Sequence, residues 1–196
     1  MKLCVSQGTF NPIHNAHLRV CEYAIEHFNF DKVLLIPAYK PPHKDTGLSE
    51  ARLDMARLAA QDMTGVEVSD IEYKREKKSY TYDTIAELYK QYDITGKIHF
   101  LIGTDAFKNI ETWYRADELK ELVHFIVFLR GSHKDYKKKY FEKLRQKGYN
   151  YDIMKLPFLD VSSTQVRNNV KNGLSIANLV PKSVEKYIKE NGLYRI

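Results

Sequence analysis

Cysteine is scarce in this chain, and so are long apolar runs. The two cysteines, Cys4 in a strand-like run and Cys21 in a helical stretch, form neither a disulfide framework nor a metal-ligand spacing. That usage suits a reducing compartment, with both thiols acting as packing groups. No apolar run approaches the roughly 20 residues that a membrane helix requires. The run after Lys2 stops at Ser6 and Gln7, too soon for the core of a signal peptide. A cytoplasmic location with no membrane partner is therefore expected.

Other absences narrow the chemistry. There is no Walker motif, no GxGxxG, no GxSxG and no Cys-His pair, so P-loop kinases, dinucleotide-dependent redox enzymes and covalent hydrolases lack their parts. Asp and Glu are plentiful, yet none is spaced to mark a catalytic dyad. Phosphate-centred chemistry without a protein nucleophile remains. Neither repeats nor low-complexity segments occur.

What is present reads as one globular domain over residues 1–196. A chain of 196 residues with 43% hydrophobic and 12% aromatic side chains can bury a sizeable core. Its net charge of +6 points to anionic partners without saying which. Seven basic side chains lie between His133 and Lys147. A solvated helix face accounts for them, with a nucleic-acid patch as the alternative.

Short apolar runs at Leu3 to Val5, Val33 to Ile36, Val66 to Val68, Ile98 to Ile102, Phe125 to Leu129 and Ile153 to Leu156 predict strands. Helical periodicity predicts helices over Leu18 to Phe28, Glu50 to Ala60, Tyr82 to Tyr92, Thr104 to Leu122 with a break near Trp113, and Tyr136 to Gln146. This alternation implies an α/β fold, a Rossmann-like doubly wound and mostly parallel sheet. Helical patterns at Ser163 to Lys171 and Val184 to Glu190, with no later strand, predict a helical C-terminal cap or subdomain over residues 157–196.

Two segments carry the chemistry. Gly8-Thr9-Phe10-Asn11-Pro12-Ile13-His14-Asn15-Ala16-His17-Leu18 joins the first strand to a helix. A helix start leaves backbone N–H groups unpaired and carries about half a positive charge, which suits phosphate. His14 and His17, three residues apart, share a helix face. On spacing alone the pair fits a phosphate site, a zinc site or ordinary helix residues, and zinc lacks a further ligand nearby. The second segment, Asp160-Val161-Ser162-Ser163-Thr164-Gln165-Val166-Arg167, reads as another helix start, where Arg167 leans back toward Thr164. A plain capped helix with a surface arginine is its alternative.

In an open α/β sheet, ligands bind where the strand order reverses, commonly between the first and fourth strands. Gly103-Thr104-Asp105 follows the fourth strand and would face Gly8 to His17 across that crevice. Asp105 could accept ribose hydroxyls, or could simply open a helix.

GTFNPIHNAHL resembles the HxGH signature of the adenylyl- and cytidylyltransferase superfamily, and VSSTQVR resembles its second signature, ISSTxxR. Pro41-Pro42-His43-Lys44, Ser79-Tyr80-Thr81, Ile102-Gly103-Thr104-Asp105, Thr112-Trp113-Tyr114 and Asn191-Gly192-Leu193-Tyr194 further resemble, in the same order, the bacterial nicotinate-nucleotide adenylyltransferase family. The resemblance implies a Rossmann-like domain that condenses ATP with nicotinate mononucleotide, a late step of NAD synthesis. Mg²⁺ would arrive with ATP, and no protein metal site is implied.

Carried over residue by residue, His14, His17 and Arg167 would be catalytic. Gly8, Thr9 and Phe10 would share the ATP site with the two histidines. Gly103 and Asp105 would take the adenosine ribose, and Ser163, Thr164 and Arg167 the pyrophosphate side. Lys44 would reach phosphate from its loop, while Thr81, Trp113 and Tyr114 would hold the mononucleotide base. The implied partners are these two small molecules, with no nucleic acid.

Four residues depart from the family pattern. Gln7 stands for the first of two glycines, Asn11 for aspartate, Ala16 for the glycine of HxGH and Ala38 for asparagine. Gln7 would add bulk beside the adenosine site, and Ala38 would remove a polar contact to the mononucleotide. The run FNPIHNAHLR also resembles the eukaryotic nicotinamide mononucleotide adenylyltransferases. Preference for the amide base, or a phosphopantetheine or cytidyl relative of the two signatures, therefore stands as an alternative, with a non-catalytic nucleotide or nucleic-acid binder more remote.

Overall fold

The computed structural model describes residues 1–42, 47–129, 138–157 and 159–195. Six strands form one sheet: β1 (Leu3–Gly8), β2 (Lys32–Pro37), β3 (Val66–Val68), β4 (Ile98–Gly103), β5 (Val123–Phe128) and β6 (Tyr151–Met154), in the order β3-β2-β1-β4-β5-β6. Every described strand pair is parallel, with registers such as Val5↔Leu34 and Phe100↔Phe125. Parallel neighbours need a crossover, and here helices supply it: α1 (Asn15–Phe28), α2 (Ser49–Ala60), α4 (Thr81–Gln91) and α6 (Ala116–Leu122) among them.

Side-chain alternation along the strands divides the core in two. Cys4 of β1 with Val33 and Leu35 of β2 face one layer, which also holds Leu18, Cys21 and Ala24 of α1 and Met55, Ala56 and Ala59 of α2. Leu3 and Val5 with Leu34 and Ile36 face the other, against Ile85 and Leu88 of α4 and Leu119 of α6. In α1 the remaining face carries Arg19 within 3.3 Å of Glu22, an exposed pair of small energetic weight. After β6 come α8 (Ser163–Lys171) and α9 (Lys182–Glu190). Val166, Val184 and Ile188 of these helices join the same core cluster as α1 and α2.

Several boundaries differ from the sequence expectation. The stretch expected as one broken helix is α5 (Thr104–Phe107), a 3₁₀ turn (Ile110–Thr112) and α6, with Arg115 in the left-handed region at φ 53°. Strand β5 begins at Val123 and β6 at Tyr151, ahead of the apolar runs, because pairing of Ile98 with Val123 and Phe125 with Tyr151 extends them. Polar His124 and Asp152 hid those starts. Short α3 (Ile71–Arg75) went unpredicted, being too brief to show a period. Helix α7 (Lys138–Gln146) matches the end of its expected span, and residues 136–137 lie outside the described ones.

His99 lies on β4 between the rings of Phe30 (4.9 Å) and His124 (5.4 Å), while His124 Nε2 sits 3.0 Å from Asp152. Burial first, then the positive charges of His124 and Lys2, push the His99 pKa down from 6.5 to about 4, against the opposing pull of Asp152. Folding thus favours the neutral ring. Its stabilisation is present above pH 6.5 and is lost as pH falls toward 4. Urea midpoints should fall across that interval, and fall less in His99→Gln. Equal slopes for the two proteins would assign the acid sensitivity to other groups.

Candidate active site

A cavity of about 920 Å³ opens over the carboxyl ends of β1 and β4, where the strand order reverses. Gly8, His14, His17, Gly103, Asp105 and Arg167 all line it, as do Thr9, Phe10, Ser163 and Thr164. The two sequence segments, about 150 residues apart in the chain, therefore meet at one crevice.

Its first wall is the turn from β1 to α1. Phe10 takes a left-handed φ of 47° and folds its ring back into the protein, leaving it 4% exposed. Only glycine at position 8 allows this, since a Cβ there would lie 2.7 Å from the Phe10 ring. A cis peptide joins Asn11 to Pro12. His14 caps α1, buried, and its ring stacks on His17 at 3.6 Å with 20° between planes. The His14 backbone N–H donates to His17 Nδ1 at 3.3 Å. With Nδ1 accepting, the neutral ring carries its proton on Nε2.

Helix α1 offers fewer free amides than the sequence suggested. Asn15 N–H donates to Leu179 O at 2.9 Å, and His17 N–H to His14 O at 2.9 Å. The imidazole N–H groups and the helix dipole thus become the main attractions for an anion on this side.

The second wall is the start of α8. Ser162 caps it reciprocally with Gln165, accepting from its N–H at 3.1 Å. Ser163 Oγ donates to Pro12 O (2.8 Å), and Arg167 donates to Asn11 O (2.7 Å) and Thr164 Oγ1 (3.2 Å). These bonds pin α8 to the β1–α1 turn, a task the sequence did not disclose. The Ser163 and Thr164 amides find no acceptor among the described residues. Arg167 still has N–H groups beyond those two bonds. Asp105 stands on the rim with its side chain 82% exposed, 3.6 Å from Lys108.

A smaller cavity of about 250 Å³ adjoins the first and shares Gln7, Gly8, Thr9, Phe100 and Trp113 with it. Thr81 and Tyr114 also line it. Trp113 meets Phe100 edge to face at 6.1 Å, and Tyr114, 48% exposed, packs on Tyr80 at 4.5 Å. Thr81 opens α4, and neither its amide nor that of Tyr82 finds an acceptor among the described residues. Lys44 lies outside the described residues.

Gln7 and Ala38 both line the smaller cavity. The Gln7 side chain turns to Glu72, donating from Nε2 to Oε1, and lies at the seam of both cavities rather than beside the larger one alone. Ala38 is buried, and its backbone is engaged at both ends: N–H to Gly8 O at 2.8 Å, and carbonyl to Arg52. Asn11 Oδ1 accepts from Tyr194 at 2.6 Å, where burial has pushed that phenol's pKa well up. Arg52 and Glu72 escaped the sequence reading, and Tyr194 entered it only as the end of the Asn191–Tyr194 segment. Arg52 shares its helical stripe with buried Met55, Ala56 and Ala59, a cue to its burial, whereas Glu72 and Tyr194 carried none.

The residues present do not form a protein cage for a metal: no group of three or more His, Cys, Asp or Glu among the described residues is placed to hold one.

Doubly wound sheet and twin helix starts around one crevice define a nucleotidyltransferase domain, and a family model described as cytidylyltransferase-like matches residues 5–169. A curated relative from Fusobacterium nucleatum, named probable nicotinate-nucleotide adenylyltransferase, is 38% identical, covering 97% of this chain and 98% of its own. A namesake from Exiguobacterium sibiricum is 38% identical over 99% of each chain. This chain belongs to the nicotinate-nucleotide adenylyltransferase family within the cytidylyltransferase-like group. Plasmodium falciparum nicotinic acid mononucleotide adenylyltransferase complexed with NaAD superposes with a TM-score of 0.83 at 19% identity, covering 98% of this chain and 97% of that one. The same Plasmodium protein complexed with APC gives 0.78 at 20% identity over 98% and 96%. At such identities the likeness carries the fold.

Gly8→Ala should force the Phe10 ring out of place and lower kcat/KM for nucleotidyl transfer by roughly 10²-fold, the cost of misplacing a substrate by about 1 Å. Steady-state kinetics test this, and unaltered kcat/KM would mean that the turn yields without consequence.

Proposed function

We propose that this chain transfers the adenylyl group of ATP to nicotinate mononucleotide, forming nicotinate adenine dinucleotide and pyrophosphate in NAD synthesis. The observation that carries the reading is the junction of two unlike cavities at Gln7 to Thr9. One is walled by helix starts, imidazoles and a guanidinium, and suits a triphosphate. The other is walled by Trp113, Tyr80, Tyr114 and Phe100, and suits a flat, electron-poor ring. A reaction that joins two nucleotides needs both.

In this reading an oxygen of the mononucleotide 5′-phosphate attacks the α-phosphorus of ATP. The bond from that phosphorus to the α,β-bridging oxygen breaks, and pyrophosphate leaves with the bonding pair. The attacking phosphate is anionic near pH 7 and needs no general base. Repulsion between two anions is the obstacle, so catalysis consists of alignment and charge stabilisation. His14, His17 and Arg167 are the catalytic donors, with His17 Nε2–H aimed at phosphate by the bond its Nδ1 accepts. Gly8, Thr9 and Phe10 shape the phosphate turn, Gly103 and Asp105 take the ribose, and Ser163 and Thr164 offer amides to the departing side. Magnesium would arrive with ATP as part of the substrate and help neutralise its phosphate charge.

Thr81, Trp113 and Tyr114 bind the mononucleotide: the indole stacks on the pyridine, and the amides that open α4 receive its carboxylate. Donors without a matching acceptor favour acid over amide. Lys44 reaches the phosphate from its loop. Residues 157–196 act as a helical subdomain that closes the phosphate side. No helix among the described residues is long and apolar enough to cross a membrane. We place the chain in the cytoplasm, acting on small molecules rather than nucleic acid.

Pyrophosphate release from magnesium and ATP, with acid or amide mononucleotide in parallel, tests the reaction and its base. The acid should turn over about tenfold faster or more. Faster reaction with the amide reverses the base assignment, and no release with either overturns the reaction. His17→Ala should lower kcat by roughly 10² to 10³, as for loss of one preorganised donor. Near-normal turnover in that variant would remove His17 from the chemistry.

A further inference from the structure

One cation in the molecule is nearly inaccessible and has no carboxylate within ion-pair distance among the described residues: the guanidinium of Arg52, 1% exposed. Its four hydrogen bonds all go to backbone carbonyls. Nη1 reaches Thr9 O at 2.8 Å and Ala38 O at 2.5 Å, Nη2 reaches Tyr39 O at 3.0 Å, and Nε reaches Gly47 O at 3.3 Å. Thr9 and Ala38 both line the smaller cavity, and one nitrogen of the fork ties their carbonyls together.

The opposing charge acts through the same peptide segment. Fully buried Glu72 accepts from Tyr39 N–H at 3.1 Å and from Thr84 Oγ1 at 2.6 Å, and it also accepts from Gln7. Tyr39 is thus held at its carbonyl by a cation and at its N–H by an anion. Gln7 to Thr9, the wall shared by both cavities, is pinned at one end by Glu72 and at the other by Arg52.

We propose that Arg52 is a positioning residue for the mononucleotide, its planar fork tying the Thr9 and Ala38–Tyr39 segments together where Thr9 and Ala38 line the smaller cavity. The inference rests on the assignment of that cavity to the mononucleotide. A buried cation is expensive, and one bonded to backbone carbonyls, two of them those of cavity-lining Thr9 and Ala38, does little for the hydrophobic core. Lysine cannot replace it, because a single ammonium cannot present donors to carbonyls spread over a fork.

Arg52→Lys is the test, read by steady-state kinetics and by quenching of Trp113, the only tryptophan, with mononucleotide alone. KM and Kd for the mononucleotide should rise by about tenfold or more, while KM for ATP and kcat stay within about threefold. A merely structural role would instead lower the melting temperature and the active fraction, leaving both KM values unchanged. If the lysine variant does not fold, Gln7→Gly releases the other pin of the same wall and should raise the mononucleotide KM by several-fold. Unchanged mononucleotide KM and Kd in a folded variant overturn the proposal. A wild-type protein that releases no pyrophosphate with either mononucleotide overturns the proposed function instead.

Discussion

All-parallel pairing is the constraint on which this structure turns. Strands that run the same way must be joined by crossovers, and a sheet that grows from β1 in both directions reverses its order between β1 and β4. At that reversal the following segments diverge to opposite faces and leave a crevice that no side chain of the sheet fills. The β1–α1 turn and the β4–α5 turn border it, and α8 closes it from a third direction. Every group assigned above to ATP belongs to one of these three borders.

The borders are held together by bonds that leave the interior of the crevice polar. Ser163 and Arg167 of α8 donate to the carbonyls of Pro12 and Asn11, and Tyr194 donates to the Asn11 side chain. These bonds consume acceptors of the turn and spare its positive groups. His17 keeps its proton on Nε2 because its other nitrogen is engaged by the His14 backbone. An anion entering the crevice would meet donors already oriented, so little reorganisation energy is spent during reaction.

Beneath the smaller cavity the arrangement is stiffer. Arg52 and Glu72 are both buried and do not form a direct ion pair; each holds one end of the Tyr39 peptide and one end of the Gln7 to Thr9 wall. Opposite charges separated by a shared peptide offset each other's burial while bracing two loops at a set distance. Gln7, bulkier than the glycine usual at this place in the family, is absorbed as the fourth member of that brace.

Much of this was legible beforehand. Runs of three to five mainly apolar residues marked all six strands, because strand pairing buries short segments on both faces. Helix starts were visible near His14 and His17 and at Ser162 or Ser163, although α1 begins at Asn15, ahead of the periodic stretch from Leu18, with His14 as its extended cap. Strand limits at Val123 and Tyr151 were not visible, since partners on β4 and β5 decide them. Nor were the bonds of Gln7 and Tyr39 to Glu72, of Arg52 to Thr9 and of Tyr194 to Asn11, which join residues between about 30 and 180 positions apart. Local periodicity and motif chemistry settle which segments form elements and which residue types face phosphate. Only tertiary structure decides which polar groups are already spent on holding the site together, because a hydrogen bond between distant segments leaves no trace in their order along the chain.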